Sequence, residues 1–257
     1  MRIGIFAAAL RIGSMILLAQ GFAAGAAEVK VMAGAALSAV IGELGPQFEL
    51  ATGHKLVIQY GLGPALKRQI EAGEAFDLVI LSPALMDDLT TQGKIAAAAR
   101  AEIVRAGVGV AVRAGAPKPD ISSVDAFKRA LLNASSITYT PESTTGIHLA
   151  KVLERLGIAE QMKAKTKPQQ IPERIARAVA DGEAELGIAL TTVLLSVRDV
   201  ELVGLVPPEL QNYLVFTAGV GAAAKQPGAA KALIVHLTAP EAVPVIKAKG
   251  WERGTPR

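Results

Sequence analysis

The sequence predicts an α/β fold whose sheets are mainly parallel. Short apolar runs of strand length, such as Leu56–Tyr60, Leu78–Leu81 and Leu186–Leu190, alternate with helical segments along the chain. Each run is followed by a loop and then by a segment whose apolar residues recur at steps of three and four. This order is typical of right-handed crossovers between parallel strands.

The first residues have the form of a secretory signal peptide. Met1–Arg11 carries two arginines and no acid, Ile12–Leu18 is apolar, and Ala23–Ala27 supplies small residues for cleavage. We therefore predict that residues 1–27 are a signal peptide, cleaved after Ala26 or Ala27, and that the mature protein is periplasmic.

Composition excludes several classes of function. The formal net charge is only +4 and no dense lysine or arginine block occurs, so nucleic-acid binding has no electrostatic support. The 257 residues include no cysteine and three histidines that are far apart in sequence, which makes a zinc site improbable. We predict no cofactor and no metal.

The first half of the chain contains three strand-and-helix units. Predicted strands are Val29–Met32, Leu56–Tyr60 and Leu78–Leu81, and the helices between and after them cover about 37–48, 64–72 and 84–92. Pro64 suits the first turn of its helix, where the missing N–H costs nothing, and Gly73 ends that helix.

The second half continues the same alternation. Predicted strands are Val108–Val112, Ile137–Thr140, Leu186–Leu190 and Tyr213–Val220. Helices are predicted after Ser122–Ser123, Pro141–Gly146, Pro172, Gln226 and Ala239. Glu160–Gln170 is polar and lysine-rich, which predicts an exposed connection. His54 is predicted on the solvated surface and His236 on the outer face of its helix.

Four helices begin in small or polar loops directly after a strand or a short connection. These starts are Ala35–Ser38, Gly63–Pro64, Thr144–Gly146 and Ile171–Pro172. Each helix N-terminus offers free N–H donors and a partial positive charge, and in doubly wound sheets such ends converge at the ligand site. Any one of them alone is equally well a tight turn without a ligand.

The sequence contains few residues in patterns that are typical of catalytic sites, and we predict that the chain is not an enzyme. It has no Gly-X-Ser-X-Gly motif and no cysteine nucleophile. His148 lies near the third helix start, where it is either a ligand contact or a surface residue that caps locally. The alternative is a small secreted hydrolase or isomerase that uses the same cleft.

Several segments resemble the periplasmic molybdate-binding proteins of ABC importers and, more widely, the type II periplasmic solute-binding fold. They are Leu66–Gly73, Asp77–Ile80, Lys151–Gly157 and Asp181–Ile188. The resemblance implies two lobes, one formed by 28–107 plus 212–257 and the other by 108–211, with the ligand in the cleft between them. It also implies a monomer that hands its solute to a membrane ABC permease. The ligand-sensing half of a transcription regulator shares this fold, but the signal peptide argues against it.

The chain departs from the molybdate-binding pattern at the ligand positions. Hydroxyl-bearing residues of the family are replaced in Ala33–Leu37, in Gly61–Pro64 and at Leu190. A dry oxyanion needs a donor for nearly every lone pair, so each lost hydroxyl costs about 1–3 kcal/mol. We therefore predict a small anionic solute, an organic acid or an oxyanion other than molybdate. The predicted ligand-binding residues are Ala35, Ala36, Leu62, Gly63, Ser143, Thr144, Thr145, Gly146, His148, Pro172 and Leu190.

Overall fold

A computed structural model describes residues 26–255, except for the side chains of residues 97–99. Residues 1–25, which hold most of the predicted signal peptide, lie outside the described residues. The strands are β1 (Glu28–Gly34), β2 (Lys55–Gly61), β3 (Leu78–Leu81), β4 (Ile95–Arg113), β5 (Ile137–Thr138), β6 (Leu186–Leu190), β7 (Val200–Leu205), β8 (Tyr213–Gly221) and β9 (Glu252–Arg253). The helices are α1 (Ser38–Thr52), α2 (Gly63–Glu71), α3 (Pro83–Thr91), α4 (Val124–Asn133), α5 (Thr144–Arg155), α6 (Ala159–Lys163), α7 (Glu173–Ala180), α8 (Thr191–Leu194), α9 (Pro227–Thr238) and α10 (Val243–Ala248).

The predicted two-lobe α/β fold is confirmed, and its strands form one continuous sheet in the order β2-β1-β3-β8-β4-β6-β5. Strands β7 and β9 also pair with β4. The sheet is mixed, since β1 pairs in parallel with β2 and β3, and β5 with β6, whereas β8 and β4 pair antiparallel. The antiparallel pairings arise because β4 carries the chain out of the first half of the sheet and β8 brings it back.

Strand β4 is the feature that joins the two halves of the sheet. Up to Gly107 it pairs with β8 and β9, and from Val108 onward it pairs with β6 and β7. Its first part was not predicted, because the alanine-rich run with Arg100 and Glu102 has helical rather than strand propensity. Pairing with β8 supplies the missing stability. The division into 28–107 plus 212–257 and 108–211 stays a prediction.

The halves of the sheet have separate hydrophobic cores. One core packs α1, α9 and α10 on β1, β3 and β8, and includes Phe48 and Trp251. Another packs α4 and α5 on β4 and β6, and includes Phe127 and Met162. Met162 belongs to α6, so the predicted exposed connection contains a short helix whose methionine is buried in this core.

Two histidines that were predicted on the surface are half-buried beside Phe48. His54 Nδ1 accepts a hydrogen bond from the Ala27 amide at 3.1 Å, and His236 Nε2 lies 3.1 Å from the Leu44 carbonyl oxygen. Their ring centroids are 5.9 and 5.7 Å from that of Phe48. Each ring therefore packs its apolar body on the phenylalanine and uses a nitrogen to satisfy a backbone group.

Within residues 26–255, the helices are individually too short or too polar to cross a membrane. The bent pair Pro227–Thr238 and Pro240–Ala248, with 57° between its parts, passes on length and composition only. Leu233, Leu237 and Ile246 of this pair are buried in the core, which accounts for their apolar character.

Candidate functional site

A cavity of about 430 Å³ lies where the two halves of the sheet meet. One wall comes from the first half, through Ala36 at the start of the first helical segment and the residues that begin β8. The other wall comes from the start of α5, the start of α7, the end of β6 and the α8 turn. The lining residues are Ala36, Ser143, Thr144, Thr145, Pro172, Glu173, Ile175, Ile188, Ala189, Leu190, Thr192, Val193, Asn212, Tyr213 and Leu214.

The N-terminus of α5 brings donors to the cavity. Ser143 is the N-cap, and its hydroxyl accepts a hydrogen bond from the Gly146 amide at 3.0 Å and donates one to the Thr140 carbonyl at 2.8 Å. The Gly146 amide and the Ser143 hydroxyl are therefore already engaged. The amides and hydroxyls of Thr144 and Thr145 remain as the donors of this first helical turn.

The wall that carries Asn212 and Tyr213 is held by the side chain of Gln211. Its Oε1 accepts hydrogen bonds from the amides of Val108 at 2.7 Å and Asn212 at 2.9 Å, and its Nε2 donates to the Val108 carbonyl at 3.0 Å. The side-chain amide of Gln211 thus replaces the backbone hydrogen bonds of a neighbouring strand at Val108, the residue where β4 changes its pairing partner. This fixes the backbone of the two residues that enter the cavity.

Tyr213 lines the cavity, and its phenol is protonated at neutral pH. Burial raises the pKa of its hydroxyl, and the nearby Glu252 carboxylate adds to the rise, while Arg105 opposes it. The Arg105 guanidinium carbon stacks 4.5 Å from the ring centroid, and Arg105 Nε donates to Glu252 Oε2 at 3.0 Å. Because the pKa lies above its ordinary value near 10, the phenol is a hydrogen-bond donor at neutral pH.

Glu173 is the carboxylate of the lining. It is the first residue of α7, next to the predicted contact Pro172, and it is exposed to solvent. An acidic residue in the first turn of a helix is stabilised by the helix dipole. Among the described residues that line the cavity there is no lysine, arginine or histidine.

The structure gathers six of the predicted ligand-binding residues into this one cavity. They are Ala36, Ser143, Thr144, Thr145, Pro172 and Leu190. Their contact with a ligand stays a prediction. The lining combines the hydroxyl-bearing Ser143, Thr144 and Thr145 with the apolar side chain of Leu190.

Five predicted residues are not part of the lining. Ala35 is exposed next to Ala36, and Leu62 is 76% exposed at the start of α2. Gly63 packs against Leu85, and Gly146 is buried behind the cap. His148 turns away from the cavity.

His148 instead ties α5 to the segment that returns between the lobes. Its Nε2 lies 2.8 Å from the Leu210 carbonyl oxygen, and one turn further Arg155 Nη1 donates to the Glu209 carbonyl at 3.0 Å. The half-buried histidine therefore satisfies a backbone carbonyl that lies 62 positions further along the chain, a long-range contact that differs from both predicted alternatives.

Sequence reasoning missed the lining residues Glu173, Thr192, Asn212 and Tyr213. Glu173 has the pattern of an ordinary acidic first-turn residue, and the segment that contains Thr192 was given no prediction. Asn212 and Tyr213 reach the cleft only because the chain returns across β4. The sequence feature that could have indicated them is the Pro207-Pro208 break, which precedes Asn212 and the strand that begins at Tyr213.

The site combines hydrogen-bond donors, one carboxylate and an apolar wall, which suits a small organic anion. Within residues 26–255, no group of three or more His, Asp or Glu side chains is placed to hold a metal ion. Neutral donors and helix N-termini can bind carboxylates, while a carboxylate side chain can accept a proton from a bound substrate.

These features define a solute-binding protein with an interlobe cleft, and comparison with known proteins agrees. Residues 29–252 match the family described as bacterial extracellular solute-binding protein, and the chain belongs to this family. A substrate-binding domain assigned to a molybdenum ABC transporter of Clostridium difficile has a TM-score of 0.78 at 19% identity, over 90% of this chain and 100% of that one. This likeness shows the fold.

Two relatives are more similar in sequence. A protein named aconitate isomerase from Pseudomonas sp is 33% identical over 227 residues, which are 86% of this chain and 86% of the relative. The molybdate-binding protein ModA of Azotobacter vinelandii is 30% identical over 241 residues, or 89% and 91% of the two chains. The resemblance to molybdate-binding proteins is thereby confirmed.

The prediction that the chain is not an enzyme is contradicted by the relative named aconitate isomerase. The prediction depended on the absence of a serine, cysteine or histidine nucleophile motif. An isomerisation needs none of these groups, because a carboxylate that moves a proton is sufficient. The sequence search for catalytic residues therefore covered nucleophilic chemistry and gave no weight to a carboxylate that transfers a proton.

Proposed function

We propose that the cleft binds a small unsaturated polycarboxylate, with aconitate as the candidate, and isomerises its double bond. The observation that carries this proposal is the cavity lining, in which hydroxyl and amide donors for carboxylates accompany the carboxylate of Glu173. The similarity to a protein named aconitate isomerase supports it.

The structure of aconitate limits the reaction mechanisms by which its double bond can be isomerised. Aconitate carries a CH2 group and a CH= group on either side of one central carbon, so a proton shift between them moves the double bond and can change its geometry. The other common route adds a cysteine thiolate to the double bond, and this chain contains no cysteine. We therefore assign the proton-shift route, which requires a base close to the substrate carbons.

Glu173 is the residue that we assign as this base. Its carboxylate takes a proton from the CH2 group, and the electron pair of the broken C–H bond spreads over the allylic carbons and their carboxyl groups. Glu173 then returns the proton to the former CH= carbon, and the double bond forms on the other side. Atoms and electrons balance without a redox partner.

The remaining lining residues hold the substrate and the developing charge. The first-turn donors of α5, at Thr144 and Thr145, bind one carboxylate. Asn212 and the protonated Tyr213 donate from the opposite wall and stabilise the negative charge that spreads onto another carboxyl group. Ile188 and Leu190 cover the hydrocarbon part and exclude water.

Molybdate fits this lining poorly. A small tetrahedral dianion needs donors on all sides when it is buried. Here the apolar wall at Ile188 and Leu190 offers no donors, and Glu173 would repel the ligand. An organic acid tolerates the apolar wall, because its carbon skeleton can lie against it.

We place the protein and this activity in the periplasm. The family description is extracellular, and the Azotobacter relative of known structure is named a periplasmic molybdate-binding protein. We propose export through the N-terminal signal peptide and a monomeric protein that can also hand the bound acid to an ABC permease.

The test is turnover by the purified protein and two matched variants. Wild type incubated with cis-aconitate should form trans-aconitate, measured by chromatography, and the reverse reaction should reach the same ratio. Glu173→Gln should lower the rate at least about 100-fold, because it removes the base. Glu160→Gln, which removes an exposed carboxylate on α6, should keep the wild-type rate. Equal rates for wild type and Glu173→Gln would contradict the assignment of the base.

A further inference from the structure

The ring of Tyr213, which lines the cavity, packs against two residues of β4. Tyr213 lies directly opposite Gly107 in the pairing of β8 with β4, and a Cβ at Gly107 would come within 3.0 Å of the ring. Arg105 precedes Gly107 by two residues on the same face of β4, and its guanidinium carbon lies 4.5 Å from the ring centroid. The glycine therefore leaves room for the ring, and the diagonal arginine stacks on it.

Arg105 is held in turn by the C-terminal strand β9. Glu252 lies opposite Arg105 in the pairing of β9 with β4, and its Oε2 accepts a hydrogen bond from Arg105 Nε at 3.0 Å. The two side chains are 32% and 33% exposed, and an ion pair with this exposure contributes little to stability. Its main effect is geometric, since it limits the positions that the guanidinium can take against the Tyr213 ring.

The backbone and the side chain of Tyr213 are fixed by different groups. Gln211 holds the main chain through its bonds to Val108 and Asn212. The tyrosine side chain still has two rotatable bonds, and the stacked Arg105 restricts both of them. Such restriction matters at a binding site, because a group misplaced by about 1 Å can cost about 100-fold in rate.

The two charges of the ion pair act on the phenol in opposite directions. Burial raises the pKa of the Tyr213 hydroxyl most, Glu252 adds to the rise, and Arg105 opposes it. If the pair acted only through the acidity of the phenol, loss of Arg105 would weaken the donor and loss of Glu252 would strengthen it. If the pair positions the ring, loss of either residue weakens binding.

We propose that Arg105 and Glu252 are positioning residues that hold the phenol of Tyr213 against the ligand, so that the C-terminal strand β9 contributes to recognition. This inference rests on the proposed function, in which Tyr213 donates to a carboxyl group of the bound acid. Neither Arg105 nor Glu252 is among the described residues that line the cavity. Both therefore act on the ligand through Tyr213.

The experiment is a double-mutant cycle in which calorimetry measures the binding of trans-aconitate. Arg105→Met and Glu252→Met keep an unbranched side chain and remove the ion pair, and Tyr213→Phe removes the hydroxyl. Each methionine variant is also combined with Tyr213→Phe. The control is Arg100→Met, because Arg100 lies on the same strand, pairs with Asp87 at 2.8 Å and is outside the lining. Circular dichroism checks that every variant is folded.

We expect Tyr213→Phe to weaken binding about tenfold, because it removes a hydrogen bond to a charged group. Arg105→Met and Glu252→Met should each weaken binding by up to about tenfold. Neither change should weaken it further in a protein that already lacks the hydroxyl, since residues that act through one group are not additive. Arg100→Met should bind as wild type does.

Carbon NMR of protein with ring-labelled tyrosine gives a second measurement, because the chain has three tyrosines and Tyr213→Phe identifies the signal of Tyr213. Arg105→Met should raise the pH at which this signal titrates, and Glu252→Met should lower it, as the charges that are removed require. Opposite shifts in the phenol pKa with the same loss of affinity would support positioning.

Tighter binding by Glu252→Met would show that the pair acts through the acidity of the phenol and would overturn this inference. Losses that add in the double variants, or wild-type affinity in Tyr213→Phe or in both methionine variants, would also overturn it. These outcomes would leave isomerisation in the cleft standing. No binding of aconitate by the wild-type protein would overturn both.

Discussion

Replacement of Thr144 and Thr145 by valine tests whether the start of α5 holds the substrate. Valine has the shape of threonine without the hydroxyl, so the change removes two donors and keeps the volume. Ser143 still caps the helix through its bond to the Gly146 amide, and the two backbone amides of the first turn stay in place. The fold should therefore remain stable while binding weakens.

The magnitude follows from what is removed and what remains. A hydrogen bond to a charged group contributes about 1.5–3 kcal/mol, but the backbone amides and water compensate for part of the loss. We expect the double variant to lose about 1–3 kcal/mol of binding free energy, or roughly 5–150-fold in affinity.

Calorimetry with trans-aconitate at pH 6 measures this change, and Thr91→Val is the control. Thr91 is an exposed helical threonine at the end of α3, outside the lining, so its loss should leave affinity unchanged. Wild-type affinity in the double variant would mean that α5 does not contact the ligand. An equal loss in the control would point to a general effect of the substitution.

Three further predictions concern the scaffold, and thermal unfolding measures each of them. Gly146→Ala should destabilise the protein strongly, because a Cβ there would overlap the Thr140 carbonyl, whereas Gly42→Ala faces open space in α1 and should stabilise by about 0.5–1 kcal/mol. A stable Gly146→Ala variant would contradict the close packing behind the α5 cap. Asp77→Ala leaves three backbone amides without their buried acceptor, so we expect a loss of about 3 kcal/mol or more, and a loss below 1 kcal/mol would show that water replaces the carboxylate. Ser123→Ala removes the α4 N-cap bond and should cost about 1 kcal/mol without changing affinity for aconitate, so a change in affinity measured by calorimetry would contradict its position outside the cavity lining.

Most strands could be predicted because their apolar runs are local signals. Leu78–Leu81 is buried throughout and Leu186–Leu190 over its first four residues, as runs without polar residues require, whereas Val29–Met32 is buried except for the exposed Lys30. The first part of β4 could not be predicted in this way, since its alanines and charges carry no strand pattern and β8 determines its conformation. Strand β7 was missed for a similar reason, because its stability depends on pairing with β4.

The sequence predicted the site residues that lie at the starts of helices. It did not predict those that reach the cavity because β8 brings the chain back to the first half of the sheet. Thr144 and Thr145 open the helix that follows β5 after a short polar loop, so a local pattern identified them as candidates for the site. Asn212 and Tyr213 are 67 or more positions further along the chain and reach the same cavity through the pairing of β8 with β4. No local pattern indicates such a contact.

Glu173 shows a different limit of sequence reasoning. An acidic residue after a proline at a helix start is common, and its usual role is to stabilise the helix. Its meaning as a candidate base depends on what surrounds it, namely a cavity with neutral donors and an apolar wall. That environment exists only in three dimensions.

The most direct test of the central claim follows the reaction in heavy water by proton NMR. Purified wild-type protein is mixed with cis-aconitate, and the vinyl and methylene signals of both isomers are recorded with time. The account predicts that trans-aconitate appears and that the methylene positions of both isomers acquire deuterium to the extent that the proton on Glu173 exchanges with solvent before it returns. It also predicts that Glu173→Gln forms no trans-aconitate above the buffer control. Failure of the wild-type protein to convert either isomer would contradict the account.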